Sequence, residues 1–225
     1  MEPNMFCYQC QETAKGTGCI LKGVCGKESH TAQAMDLLLF VVRGISVVAD
    51  ALRKADCPVS EEVNIFVTDA LFCTITNANF DDESILKRVD KGIVLRNRLI
   101  QEAGNNKVLL PEVDELTWQG TRDDYAGKAK TVGVLREPDE DLRSLKELLV
   151  YGLKGMAAYL EHAMRLGFND DTIHVFMQRA LATIAVEALP ADGWVKLVLE
   201  AGGVGVKTMA LLDSANTGTY CNPEI

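Results

Sequence analysis

The 225-residue chain has few aromatic residues and few prolines, and both shortages narrow the choice of fold. Aromatic side chains make up only 6% of the sequence, whereas alanine, leucine and valine are abundant. That balance favours helices over a β-sandwich, in which aromatic residues are enriched. With only six prolines, the chain can form long uninterrupted elements, because proline is the main breaker of helices.

The chain also lacks long apolar runs and an excess of basic residues. Its longest clearly apolar run, residues 37–42, is far shorter than the roughly 18 residues that a membrane helix needs. The N-terminus has neither the basic nor the apolar region of a signal peptide. The formal net charge of −9 argues against a nucleic-acid-binding surface. We therefore expect a cytoplasmic protein with neither a membrane nor a nucleic-acid partner.

What the chain does have is a group of four cysteines near its N-terminus. Cys7, Cys10, Cys19 and Cys25 follow the pattern C-x2-C-x8-C-x5-C, with glycines interleaved between them. Four thiols on a short glycine-bearing loop can converge on one point. In a reducing cytosol, cysteines indicate metal or redox roles rather than disulfides. The segment is therefore predicted to be a metal site.

The spacing and the local charge favour an iron–sulfur cluster over zinc. Structural zinc sites usually present two short ligand pairs, and only the first pair here is short. A cubane cluster is wider than a single ion, and all-thiolate ligation suits it. Lys15, Lys22 and Lys27 oppose only Glu12 in the loop, which suits a negatively charged thiolate cluster. Zinc remains the main alternative, and unligated or disulfide-bonded cysteines a further one.

Helical periodicity dominates the rest of the chain and predicts an all-α fold. We expect a cysteine-rich iron–sulfur loop over 1–28 and a helical domain over 29–225. The helical domain would contain two bundles, about 30–104 and 138–213, joined by an irregular connection. The predicted helices cover about 30–54, 60–77, 81–104, 123–129, 138–166, 170–188, 194–200 and 206–212.

Some single residues carry specific expectations. Ser29 is predicted to cap the first long helix. Gly202 and Gly203 are predicted to form a turn between the last two helices, and 214–225 to form a loop. Cys57 and Cys73 are expected to be small buried hydrophobic residues.

The string MFCYQCQETAKGTGC with the following KGVCGK, residues 5–27, strongly resembles the N-terminus of the hybrid cluster proteins. This family is also called the prismane proteins or hydroxylamine reductases. Further matching segments follow in the family's order, and together they extend the resemblance over nearly the whole chain. They are LLLFVVRG at 37–44, LFCTITNANF at 71–80, SLKELLVYGLKGMAAY at 144–159, EHA at 161–163 and MALLDSANTGTYCNPEI at 209–225.

The resemblance implies that Cys7, Cys10, Cys19 and Cys25 hold a cubane [4Fe-4S] cluster that relays electrons. In the family, a second cluster reduces hydroxylamine to ammonia. This second cluster contains iron, sulfur and oxygen and is called the hybrid cluster. The ligands of that hybrid cluster lie further along family chains, in two α/β domains. We expect those C-terminal domains to be absent here, since the chain ends at Ile225 where they would begin. The protein that donates electrons is not indicated by the sequence.

The resemblance also qualifies individual residues. Thr76 and Asn77 resemble residues that face the hybrid-cluster cavity, and no catalytic residue is otherwise expected in this chain. Cys221 stands where the family's TGTYGNPE-like segment has glycine. Glycine adopts a positive φ at little cost and cysteine does not, so the question is whether the backbone here has a positive φ. The three histidines, His30, His162 and His174, match no ligand position and are expected to be ordinary helix residues.

Two functional alternatives remain from the sequence. One is a stand-alone iron–sulfur module for electron transfer or binding, without turnover. The other is a structural domain stabilised by zinc.

Overall fold

The computed structural model describes residues 5–10, 13–75 and 78–221. Within these ranges the fold is all-α, as predicted, and the only β-type pairing is an isolated antiparallel bridge between Cys7 and Cys19. Thr76 and Asn77 lie outside the described residues. Short 3-10 turns occur at Ala14–Gly16, Arg122–Asp124 and Val134–Arg136. The α-helices are α1 (Ser29–Lys54), α2 (Glu61–Cys73), α3 (Asp82–Asn105), α4 (Asp114–Thr117), α5 (Tyr125–Val132), α6 (Glu140–Arg165), α7 (Asp171–Val186) and α8 (Ala191–Tyr220).

Helix α1 lies at the centre of the molecule. Its residues are apolar on almost every side, and Leu37, Leu38, Phe40 and Val41 are fully buried. A helix that is hydrophobic all round is stable only when other elements cover all its faces. Helices α2, α3, α4, α5 and α7 all pack against it. The N-terminal cysteine loop precedes α1 directly and is therefore anchored to the central, buried helix of the fold.

The two predicted halves of the helical domain share one hydrophobic core. Helix α1 packs on α7, and α2 packs on α6, so elements from both halves are in contact. Buried residues from both halves, such as Leu52 and Met177, belong to the same core cluster. The pairing of α6 with α8 adds a further layer on one side.

Helix starts agree with the sequence where aspartate precedes the helix. The carboxylates of Asp81, Asp139 and Asp170 accept backbone N–H groups at 3.0, 3.0 and 2.9 Å, and so cap α3, α6 and α7. Ser29 does not cap α1, because it is already the first helical residue and Glu28 precedes it without a side-chain cap.

The C-terminal prediction was wrong for the described residues, because one continuous helix replaces the two predicted short helices and residues 214–220 of the predicted loop. Residues 222–225 of that loop lie outside the described residues. Helix α8 runs through Gly202 and Gly203 and continues to Tyr220. A glycine inside a helix costs only about 1 kcal/mol, and no proline interrupts this segment. Helix α8 packs along α6, and Ala201 and Thr208 on either side of the exposed glycines are buried. Helix α2 also differs from its prediction, since it ends at Cys73 rather than near 77.

No helix among the described residues has both the length and the apolar character required to cross a bilayer.

Candidate metal centre

Backbone pairing closes the part of the cysteine loop between Cys7 and Cys19. The Cys7 N–H donates to the Cys19 carbonyl at 3.1 Å, and the Cys19 N–H donates back to the Cys7 carbonyl at 2.9 Å. Residues paired in this way have Cα atoms roughly 5.5 Å apart. Gly18, with a φ of +120°, allows this closure, since a Cβ there would lie 2.8 Å from the Phe6 ring. The fold therefore brings two predicted ligands opposite each other.

Cys19 is a buried thiol in an environment that favours its ionised form. Burial raises the pKa of Cys19, but the backbone N–H groups of Ala14 and Val24 outweigh it and lower the pKa overall. The Thr13 hydroxyl lies 3.7 Å from the Cys19 Sγ and acts in the same direction. Such N–H groups directed at sulfur are the donors that stabilise a metal-bound thiolate. Cys19 also packs with Ala32 of α1, which ties the loop to the central helix.

Cys7 is half-buried and lies within the influence of two buried lysines. Burial raises the pKa of Cys7, while the Gln9 backbone N–H and the charges of Lys27 and Lys154 oppose that rise. Lys27 is 2% exposed, and its Nζ lies 3.2 Å from the Met35 Sδ. The positive charges that act on Cys7 therefore come from one buried lysine of the loop and one from α6. The sequence did not indicate Lys154.

The other two predicted ligands lie on the same loop but are more accessible. Cys10 is partly buried, and Cys25 is exposed in a tight turn closed by the Gly23 N–H to the Lys27 carbonyl at 2.7 Å. The turn is crowded, since a Cβ on Gly23 would lie 3.0 Å from the Cys25 Sγ. Among the residues that the structure describes, no three cysteine, histidine or acidic side chains converge as a metal site. Ligation by the complete quartet therefore stays a prediction.

The donor set fits a thiolate-bound group in two respects. All four candidate donors are free cysteines, and soft thiolates suit iron–sulfur clusters as well as zinc. The amide groups directed at Cys19 supply the hydrogen bonds that a negatively charged sulfur needs.

A cavity of about 950 Å³ opens beside the cysteine loop. Cys7 and Cys10 line it from the loop. Across the cavity it is lined by charged side chains that the sequence analysis missed. These are Asp36 and Arg43 from α1, and Glu140, Arg143, Glu147 and Lys154 from α6.

The charges in this cavity shift one another's protonation. Burial and the nearby Glu147 raise the pKa of Asp36 from 3.8 to about 7. Burial also raises the pKa of Glu147, against the attraction of Lys154 and Arg43. Burial lowers the pKa of Lys154 to about 8. Three groups that titrate closer to neutral pH than usual therefore line one cavity with two of the candidate ligands.

The three histidines lie in helices, as expected. His30 lies 2.7 Å from an Asp82 carboxylate oxygen at the surface. His174 is buried, with ring nitrogens 3.3 Å from the Thr68 hydroxyl and 2.9 Å from the Asn169 side-chain oxygen. These contacts explain the buried histidine as part of the packing between α2 and α7.

The remaining cysteines differ from one another. Cys73 is buried as predicted, and the Asn79 side-chain amide donates to its Sγ at 3.2 Å. Cys57 is only partly buried at the end of α1, so its predicted burial was incomplete. Cys221 has a φ of −111°, which any residue adopts, so its backbone does not require the glycine of the family pattern.

Comparison with known proteins decides the relationship. The model of the Prismane/CO dehydrogenase family matches residues 5–225. The chain belongs to this family. Among curated relatives of the family, the hydroxylamine reductase of Bacteroides thetaiotaomicron is 55% identical over 223 residues, which cover 99% of this chain and 40% of the relative. Hydroxylamine reductases of Desulfitobacterium hafniense and Clostridium botulinum are 49% and 46% identical, over 41% and 43% of their lengths.

The chain thus spans about two-fifths of the length of the family members it matches. The predicted family is confirmed, and the match extends over the helical domain as well as the cysteine loop.

Proposed function

We propose that this chain is the [4Fe-4S]-carrying, electron-relay part of a hydroxylamine reductase. The observation that carries the proposal is the arrangement of Cys7 and Cys19 in a chain of this family. The two residues are paired across the loop, and backbone N–H groups of Ala14 and Val24 are directed at the Cys19 sulfur. The similarity to proteins named hydroxylamine reductase supports the reaction class.

Each part of the loop would have a defined task in this function. Cys7, Cys10, Cys19 and Cys25 would hold the cluster, which when bound supplies one-electron transfer. The amides at Cys19 stabilise negative charge on its sulfur. The buried Lys27 places a positive charge near Cys7. In the complete family protein, electrons would pass on to the hybrid cluster, where hydroxylamine is reduced.

The ligand assignment is tested by metal and sulfide analysis of anaerobically purified protein. We expect iron and acid-labile sulfide in equal amounts. Both should be lost in Cys19→Ser, because that variant removes the sulfur at which the backbone N–H groups are directed. Cys57→Ala is the matched control, since Cys57 lies outside the loop and should leave the visible absorption unchanged. Stoichiometric zinc without iron would instead establish the zinc-stabilised structural domain.

Turnover separates the relay from an independent enzyme. A reduced viologen dye provides electrons, and its oxidation on addition of hydroxylamine reports reduction. We expect the 225-residue chain to be reduced by the dye but to give little or no hydroxylamine-dependent oxidation. Rapid turnover by this chain would refute the relay role, whereas reversible reduction alone is also what a stand-alone electron carrier would give.

A further inference from the structure

The cavity beside the cysteine loop is lined by equal numbers of acidic and basic side chains. Asp36 and Arg43 come from α1, and the other four come from α6. The residues from α6 are Glu140, Arg143, Glu147 and Lys154. A single anion or a single cation in this cavity would meet as many like charges as opposite charges. A ligand that carries one charge of each sign can avoid this repulsion, provided that acids and bases lie at different ends of the site.

Two of the acids, Asp36 and Glu147, have no partner among the described residues. Neither carboxylate takes part in a hydrogen bond or an ion pair there. Both side chains are partly exposed and line the cavity, so a ligand can reach them. The charge of Glu147 also raises the pKa of Asp36, because the two carboxylates repel each other. A cation between the two carboxylates would relieve that repulsion.

Two of the bases, Arg43 and Arg143, have guanidinium donors to spare. Arg43 donates to the Val132 carbonyl at 3.4 Å, and its Nε has no hydrogen-bond partner among the described residues. Arg143 donates only to the backbone carbonyls of Glu137 and Pro138 within the described chain, at 2.9 and 3.5 Å. Both arginines also line a second cavity of about 330 Å³, so they lie where the two cavities meet. Paired N–H donors of arginine suit a carboxylate.

Gly133 lines both cavities and leaves space beside the Asp36 carboxylate. A Cβ on Gly133 would lie 2.8 Å from the Asp36 Oδ2. Its φ of −72° is open to any residue, so the backbone does not require glycine at this position. The absence of a side chain therefore provides room for a group bound to Asp36. The larger cavity also has an apolar surface, formed by Leu39, Val150 and Leu181.

We propose that this cavity binds a zwitterionic α-amino acid with an apolar side chain. The ammonium group of the ligand binds between Asp36 and Glu147. Its carboxylate binds Arg43 and Arg143 where the two cavities meet, and its side chain packs on the apolar surface. The volume of about 950 Å³ lies within the range of small-molecule sites. All four charged partners belong to α1 and α6, so the inference does not depend on the group that the cysteine loop holds.

Three compounds with the same apolar group test the two charges of the ligand separately. L-leucine carries both charges, isoamylamine lacks the carboxylate and isocaproate lacks the ammonium group. Saturation-transfer NMR, which detects weak binding, measures the affinity of the 225-residue chain for each compound at neutral pH. We expect each analogue to bind about tenfold to a hundredfold more weakly than leucine, because each loses charged hydrogen bonds. Equal affinities for the three compounds, or no saturation transfer to leucine, would overturn the proposal.

Variants of α6 assign each charge of the ligand to its partner. Arg143→Gln should weaken leucine binding about tenfold and leave isoamylamine binding unchanged, because isoamylamine has no carboxylate. Glu147→Gln should weaken the binding of leucine and isoamylamine but not that of isocaproate. The same loss for all three compounds in either variant would contradict the assignment, since it would show an effect on the fold rather than on one charge.

Gly133→Ala tests the space beside Asp36. Its Cβ would crowd the Asp36 Oδ2, so leucine should bind about tenfold more weakly, whereas the circular dichroism spectrum should stay that of the wild type. Arg98→Gln is the matched control, since Arg98 is a half-exposed arginine of α3 outside the lining of both cavities, and it should keep wild-type affinities. Unchanged leucine binding in Gly133→Ala, or an equal loss in Arg98→Gln, would contradict this site.

Discussion

Two regions of the interior contain charged side chains, and these charges differ in how far they are buried and hydrogen-bonded. Arg96 on α3 is fully buried, and its guanidinium donates to the Glu115 carbonyl at 2.9 Å and to the Trp118 carbonyl at 2.7 Å. Asp36 on α1 is only partly buried, lines the cavity beside the cysteine loop and has no comparable partner among the described residues. Arg96 therefore fastens the segment around α4 to the core, whereas the carboxyl of Asp36 faces a cavity and has a raised pKa.

Arg43 connects the two regions. Its Nε lies 3.8 Å from the buried Glu115 carboxylate, which Arg136 binds at 2.7 Å. It also lines both cavities and acts on Asp36. The role of a charged side chain in the interior therefore depends on its hydrogen bonding more than on its presence there. Saturated hydrogen bonding gives a structural group, and incomplete hydrogen bonding gives a group whose protonation can respond to its surroundings.

The largest expected effect on stability comes from removing the guanidinium of Arg96. Arg96→Met should lower the free energy of unfolding by about 3–5 kcal/mol, because two buried carbonyls lose a charged donor. Urea denaturation followed by circular dichroism measures this change. A loss below about 1 kcal/mol would show that the two regions do not differ in the way proposed here.

Removing the charge of Asp36 should change the free energy of unfolding in the opposite direction. The folded-state pKa of Asp36 is raised above its unfolded value, so its contribution favours folding at low pH and is lost as pH rises through about 7. Asp36→Asn should therefore raise the free energy of unfolding by about 1–3 kcal/mol at pH 8. At pH 5 the difference should shrink to less than half, and it should disappear only below pH 3.8, where the carboxyl is protonated in the unfolded chain as well. Urea denaturation at the two pH values measures it, and a variant that is destabilised at pH 8 would contradict the assignment.

The smallest effect is expected at the surface, where water replaces lost contacts. Arg98 lies on the same helix as Arg96, but it is half-exposed and pairs with Glu62 at 2.5 Å. Arg98→Ala should change the free energy of unfolding by less than about 1 kcal/mol. The same denaturation series measures this change. An effect as large as that of Arg96→Met would mean that burial does not distinguish the two arginines.

Much of the fold could be predicted from local pattern. Asp81, Asp139 and Asp170 mark helix starts, because a capping carboxylate acts within three residues of its own position. Helix α8 could not be predicted in the same way. Gly202 and Gly203 are weak local signals for a turn, and the packing of α8 along α6 is a long-range effect that outweighs them.

The candidate site shows the same difference between features set by local sequence and features set by long-range packing. The spacing of the four cysteines indicated a metal site, and the string around them indicated the family that comparison confirmed. Position in the chain did not indicate that Asp36 and Glu147 would meet across a cavity, since they belong to helices far apart in sequence.

The sequence alone therefore determined the all-α class, most helix starts, the family and the set of candidate ligands. These depend on residue type and on spacing over a few turns of chain. The tertiary structure alone decided that Cys7 and Cys19 lie opposite each other, that α8 is continuous and that Asp36 has a pKa near 7. These depend on burial and on distances between separate elements, and electrostatic effects are set by those quantities.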